Sequence, residues 1–154
     1  MRALYAGSFD PFTLGHLSIV KEASLLFDEV FVCIASNSDK QRFCNVLEMQ
    51  KAIEATLKRE GLKNVQVVAC NGLVADYCKK HLIDYLIRGL RNTSDYLYEE
   101  NIAKINYEIN PNLTTIYFRA KDDVVSSSLV RELIKYKKSV AKYVSPEIHE
   151  LLKK

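Results

Sequence analysis

The sequence contains no pair of cysteines in CxxC spacing, and its three histidines, His16, His81 and His149, lie far apart, so no zinc ligand set can be read from it. Its four cysteines, Cys33, Cys44, Cys70 and Cys78, are accordingly expected as reduced thiols. Long apolar runs are also missing. The longest strongly apolar stretch, Val30 to Ala35, falls far short of the roughly 20 residues a membrane span needs. The opening MRALYAGSFDPF carries an acid at Asp10 and no signal-peptide core, so a cytoplasmic protein with no membrane association is expected. Nor is there an excess of one charge: 22 Lys and Arg stand against 19 Asp and Glu, a net +3 spread along the chain. That balance excludes the electrostatic footprint of a nucleic-acid binder, but it leaves room for a small anionic substrate held by local cations. There is no linker, repeat or low-complexity stretch, no GxGxxG, no Walker lysine, and no Ser-His-Asp or Cys-His pattern.

What is present is an ordinary globular composition, 48% hydrophobic and 27% charged over 154 residues, which predicts one domain spanning 1–154 with a true core. Strand and helix signals alternate five times. Ala3 to Ala6 reads as a buried strand broken by Gly7 and Asp10-Pro11. A helix capped by Thr13 follows, with Leu17, Val20, Ala23 and Phe27 on one face. Val30 to Ala35 is apolar without alternation, as in a parallel strand covered on both faces. After a polar loop from Ser36 to Asn45 come a helix from Leu47 to Arg59 stopped by Gly61, a strand from Val65 to Ala69, and a helix from Leu73 to His81. The last repeat has a strand from Asp84 to Arg88, a helix from Ser94 to Tyr107, and a β-branched, aromatic strand from Thr114 to Phe118. The tail from Ser127 to Lys154 reads as helical, with Ser145-Pro146-Glu147 opening a last helix. This is the pattern of an open parallel α/β sheet, whose ligand sits beyond the carboxyl ends of the strands.

The residues that follow those strand ends carry the chemistry. Gly7 to His16 joins a strand to a helix, with small residues at Gly7 and Gly15 and free first-turn amides suited to a phosphate. His16, one turn into that helix, can face the same anion; alone it would read as a packing residue. Arg88 and Arg91 at a strand end offer two guanidinium forks around Gly89, where a nucleotide can approach the backbone. Ser126, Ser127 and Ser128 open a helix; one serine suffices for a cap, and three leave hydroxyls to spare.

Gly7-Ser8-Phe9-Asp10-Pro11 with Thr13-x-Gly15-His16 resembles the signature of the HIGH-type nucleotidylyltransferases. Leu86-Ile87-Arg88-Gly89-Leu90-Arg91, with Asp95-Tyr96 and Tyr98-Glu99, and Val125-Ser126-Ser127-Ser128-Leu129-Val130-Arg131-Glu132 resemble further motifs of its phosphopantetheine adenylyltransferase branch. The last resembles that branch's Ile-Ser-Ser-Ser-Leu-Val-Lys-Glu. Thr13 stands where most other branches carry the first histidine, and the likeness runs in order from Ala3 to about Leu151.

The resemblance implies a single-domain, dinucleotide-binding (Rossmann-like) fold with a five-stranded parallel sheet flanked by helices and followed by C-terminal helices. It also implies a homohexamer and a reversible transfer of AMP from ATP to 4'-phosphopantetheine, giving dephospho-coenzyme A and pyrophosphate with Mg2+ accompanying ATP. By the same likeness Ser8, Phe9, His16, Gly89, Leu90, Arg91, Glu99 and the run Asp122, Asp123, Val124, Val125, Ser126, Ser127 and Ser128 would line the ATP site. Ser8, Lys40, Val74 and Arg88 would hold phosphopantetheine, and His16, Lys40 and Arg91 would carry catalysis. The chain departs from the branch in three places: Ser8 replaces a threonine, the loop after Lys40 is longer by one residue near Cys44-Asn45, and Asp122-Asp123-Val124 replaces a stretch with an aromatic and a hydroxyl. Two other readings stand beside this one. The first is a related nucleotidylyltransferase acting on glycerol phosphate or nicotinamide mononucleotide; the second is a nucleotide-binding module without catalysis.

Overall fold

A computed structural model describes residues 1–36, 41–121 and 124–154. Five strands, β1 (Arg2–Gly7), β2 (Glu29–Ser36), β3 (Val65–Asn71), β4 (Tyr85–Leu90) and β5 (Thr114–Arg119), alternate with α1 (Leu14–Leu26), α2 (Val46–Arg59), α3 (Val74–Lys80) and α4 (Thr93–Ile109). Two further helices, α5 (Ser127–Lys135) and α6 (Pro146–Leu152), close the chain. All strand pairs are parallel, in the order β3-β2-β1-β4-β5. Among the described residues no helix is long and apolar enough to cross a membrane.

The unbroken apolar strands are explained by two cores, one on each face of the sheet. Along β1, Ala3 and Tyr5 point into a core with α1, α2, α5 and α6, while Leu4 and Ala6 point the other way, into a core closed by α3 and the end of α4. Val30, Val32 and Ile34 of β2 divide from Phe31 and Cys33 in the same period of two.

The tail is helical in two pieces, the second opening at Ser145-Pro146 as expected, with a non-helical stretch between them that the sequence reading did not place. After α5 the chain turns through Lys137 at φ 55°, and the amides of Lys137 and Lys138 bond back to the carbonyls of Ile134 and Leu133. This is a left-handed helix stop made by a lysine rather than a glycine, which hides it from a sequence reading. The chain becomes helical again at Pro146, capped by Ser145. The cysteines bring a second correction. Cys33 and Cys70 are joined by a disulfide, with Cα atoms 6.3 Å apart, and only Cys44 and Cys78 are free. Adjacent parallel strands pair Cys33 with Val68 and Ala35 with Cys70, so the two side chains are diagonal neighbours on one face. A separation of 37 residues conceals that proximity in the sequence.

The topology also fixes where a ligand goes. From β1 the chain winds outward through β2 and β3, then returns to the other side of β1 for β4 and β5. The reversal lies between β1 and β4, so the crevice beyond their carboxyl ends is the expected binding place.

Candidate active site

Two connected clefts open at that reversal. The first, of about 320 Å³, is lined by Tyr5, Phe9, His16, Gly89, Arg91 and the Val125–Ser128 segment, among others. The second, of about 790 Å³, is lined by Ala35, Gln41, Arg42, Phe43 and Val74. Ala6, Gly7, Ser8, Arg88 and Arg131 border both. The chain thus presents two sites sharing one wall, as a reaction between two bound molecules requires.

The floor of the first cleft is aromatic. Phe9, at φ 44° and almost fully buried, packs edge-on against Tyr5, Phe12 and His16 with ring centroids 5.0–5.4 Å apart. A Cβ on Gly7 would sit 2.8 Å from the Phe9 ring, so Gly7 is small to admit that ring. Gly89 makes room for Ile19, whose Cδ1 would lie 2.6 Å from an added Cβ. A Cβ on Gly15 would meet the Val125 carbonyl at 3.5 Å, an ordinary contact, so this glycine is not required for space.

His16 is the third residue of α1, and Thr13 is its cap. The Thr13 hydroxyl accepts from the His16 amide, and the Thr13 amide donates to His16 Nδ1 at 3.0 Å, so the imidazole takes the place of the glutamate in a capping box. An amide can only donate. Nδ1 is therefore unprotonated, and the neutral ring keeps its proton on Nε2 as a donor for the cleft. Burial, and after it the guanidinium of Arg91, push the ring's pKa down to about 4, so the neutral tautomer holds at physiological pH.

Three arginines surround the loop between β1 and α1, each donating to a different carbonyl. Arg88 Nη1 reaches Ala6 O at 2.7 Å, Arg42 Nη2 reaches Ser8 O at 2.8 Å, and Arg131 Nη1 reaches Asp10 O at 2.6 Å. Arg88 is held further by a two-pronged pair with Glu99 at 2.7 and 2.8 Å, and Arg42 lies 3.7 Å from the Asp10 carboxylate. Asp10 also accepts the amides of Phe43 and Cys44, which ties the loop entering α2 to the first motif. Arg91 is steadied by Asp95 at 3.1 Å on its Nε.

The structure brings most of the predicted residues together: Ser8, Phe9, His16, Gly89, Arg91, Val125, Ser126, Ser127 and Ser128 line the first cleft, Val74 the second, and Ser8 and Arg88 both. Other expectations change. Glu99 lines the first cleft, but both its oxygens are engaged by Arg88, so its chemistry is to hold that arginine. Ser126 caps α5 by accepting from Leu129, Ser127 donates to Pro11 O, and Ser128 accepts from Arg131, so the Ser127 proton is committed while Ser126 and Ser128 accept in these bonds and keep an O–H to donate. This helix start can present those hydroxyls to an anion together with the first-turn amides of Ser127 and Ser128, which have no intrahelical acceptor. Leu90, whose carbonyl accepts from Ala120, and the exposed Val124 line neither cleft. Lys40, Asp122 and Asp123 lie outside the described residues.

Sequence reasoning missed Arg42 and Arg131. Arg131 was recoverable, because three residues after Ser128 on a helix is one turn away, on the same face. Arg42 had no signal, since it lies in an irregular loop whose course follows from Asp10. Among the described residues no group of three or more His, Cys, Asp or Glu is arranged to hold a metal.

Residues 4–133 match the model of the cytidylyltransferase-like family. A protein of Thermotoga neapolitana named phosphopantetheine adenylyltransferase is 40% identical over 99% of this chain and 94% of its own length. One of the same name from Staphylococcus haemolyticus is 37% identical over the same shares. Among solved structures, nicotinic acid mononucleotide adenylyltransferase of Plasmodium falciparum superposes with a TM-score of 0.72 at 16% identity, covering 98% of this chain and 93% of that one, a likeness of fold. With its match to the family model and its near full-length likeness to these relatives, the chain belongs to the cytidylyltransferase-like family and, within it, to the phosphopantetheine adenylyltransferases.

Proposed function

We propose that the chain transfers AMP from ATP to 4'-phosphopantetheine, forming dephospho-coenzyme A and pyrophosphate. The observation that carries this reading is the pair of clefts meeting at Ser8, Arg88 and Arg131, one built for a nucleotide and one with an apolar wall at Val74 and Phe43 behind a cationic end. ATP occupies the first cleft, with its phosphates toward His16, Arg91 and the first-turn amides of α5. Phosphopantetheine occupies the second, with its phosphate at Arg88 and its arm along Val74. Lys40, outside the described residues, is assigned to the acceptor phosphate by the family likeness alone.

The acceptor phosphate is already an anion at neutral pH, so it can attack the α-phosphorus in line without a strong base. The residues here match that need, because they are donors and cations rather than bases. Arg88, fixed by Glu99 and Ala6 O, and Arg91, fixed by Asp95, are pre-positioned forks that bring two anions together against their repulsion. His16, as a neutral Nε2 donor, stabilises the charge that builds on the transferred phosphoryl oxygens. Magnesium arrives as part of the substrate MgATP and neutralises charge on the leaving pyrophosphate.

We further read the protein as a cytoplasmic homohexamer. Helix α4 supports self-association: in a helix of 17 residues only Glu99 is buried, while Leu97, Tyr98, Ile105 and Tyr107 are exposed.

The test is pyrophosphate release from MgATP with 4'-phosphopantetheine, the product identified by mass. Controls contain CTP with glycerol phosphate, and ATP with nicotinamide mononucleotide. Dephospho-coenzyme A in the first mixture alone is expected. Turnover in a control, or ATP binding with no turnover in any mixture, overturns the reading.

A further inference from the structure

We infer that Arg42 is a specificity-determining residue of the acceptor site, a second guanidinium that grips the acceptor's phosphate beside Arg88; this rests on the function proposed above. Nothing in the sequence marks Arg42, and its position comes from the geometry around Ser8. Arg88 and Arg42 dock on the carbonyls of Ala6, near the end of β1, and Ser8, just after it, on the segment that both clefts share, and both side chains line the second cleft. The two cationic heads therefore stand at one end of that cleft, where it meets the first. The rest of its wall includes Val74 and the exposed ring of Phe43. A molecule with a phosphate at one end and an uncharged arm fits that distribution.

Arg42 is also built to wait for an anion. Its Nε donates to Cys44 O at 3.2 Å and its Nη2 to Ser8 O at 2.8 Å. The nearest carboxylate oxygen, Asp10 Oδ1, is 3.7 Å away, an ion pair beyond hydrogen-bond length, and it accepts from the Cys44 amide at 2.7 Å. Carbonyls thus take the hydrogen bonds that orient the guanidinium while Asp10 pairs with it only at longer range, and two or more of its five N–H bonds remain for a ligand. At the junction three guanidiniums face two carboxylates, those of Glu99 and Asp10, which leaves a net positive site for a phosphate. Asp10, by holding the amides of Phe43 and Cys44, acts as the positioning residue that sets the loop carrying Arg42.

The experiment compares two ligands that differ only in the phosphate. Activity with 4'-phosphopantetheine is measured as kcat/KM, and pantetheine, which lacks the attacking group, is measured as a competitive inhibitor. In Arg42→Gln we expect kcat/KM for phosphopantetheine to fall about tenfold or more, the scale of a lost charge-assisted contact. The inhibition constant of pantetheine and the affinity for ATP should change less than about twofold. Arg42→Lys, which keeps the charge without the fork, should fall between the two. An equal loss for phosphopantetheine and pantetheine overturns the proposal, because Arg42 would then only hold the loop, and so does an unchanged kcat/KM. Arg42→Lys behaving like Arg42→Gln counts against it in the same way. A wild-type protein that makes no dephospho-coenzyme A removes the functional reading itself, an outcome distinct from a variant that resembles an active wild type.

Discussion

At the scale of single residues, His16 and Glu99 show how environment assigns a role. His16 combines a neutral ring and a fixed tautomer. Removing it in His16→Ala is expected to lower kcat by a factor on the order of 100 or more, measured in steady state, as for loss of one preorganised transition-state donor. Its titration has a definite sign. Burial, with Arg91, depresses the folded pKa to about 4, whereas an exposed histidine takes its proton near 6.5. Between those values the unfolded chain binds a proton that the folded chain refuses, so this residue's contribution to stability is complete above about pH 6.5 and is lost as the pH falls toward 4. Imidazole nitrogen shifts in the free protein should show a neutral ring with the proton on Nε2 at pH 6. Glu99 carries a different prediction. Because both its oxygens hold Arg88, Glu99→Ala should resemble Arg88→Ala: weaker use of phosphopantetheine by about tenfold, with ATP affinity measured by calorimetry largely retained. Loss of ATP affinity equal to the loss of phosphopantetheine use would return Glu99 to the nucleotide site.

At the scale of elements, α6 is tied to α2 through Ser145 and through Glu147, which pairs with Arg59 at 2.7 Å. Ser145 Oγ accepts the amide of Ile148 and lies 2.7 Å from Thr56 Oγ1, so one side chain caps α6 and joins it to α2. Ser145→Ala should cost about 1–2 kcal/mol by urea unfolding, at the upper end for a lost cap because the bond to Thr56 goes with it. The elements were the most legible part of the sequence. Each strand and each of the first four helices lies within two residues of its reading, because apolar runs and the breaks at Gly61 and Pro111 are local signals. The start of α6 at Ser145-Pro146 was legible, whereas the end of α5 was not, because Lys137 adopts the conformation usually given to glycine. The site divides along the same line. Residues placed directly by a strand end or a helix start, such as Ser8, His16, Arg88 and Ser126, were readable from their motifs. Arg42, and the disulfide between Cys33 and Cys70, depend on which distant segments are neighbours in space, and a linear pattern does not carry that.

At the scale of the whole molecule, α4 links the outer surface to the acceptor end of the site. One face of the helix holds Arg88 through Glu99, while its apolar side chains meet solvent. If that face is covered by another copy, Leu97→Asp should shift the sedimentation coefficient of the assembly toward that of the 17.6 kDa chain. An unaltered assembly would place the contact on another face. The fixed tautomer of His16 reaches further, to the reaction as a whole. A ring whose Nδ1 is committed to the Thr13 amide and whose Nε2 keeps its proton donates a hydrogen bond throughout and never takes a proton up. In the proposed reaction, with an acceptor already ionised, no hydrogen is in flight at the moment of transfer. The chemical step should therefore run at nearly the same speed in heavy water as in light water, and the fall in rate toward acid should follow the second ionisation of the acceptor's own phosphate, near pH 6 for a phosphate monoester, rather than any group on the protein.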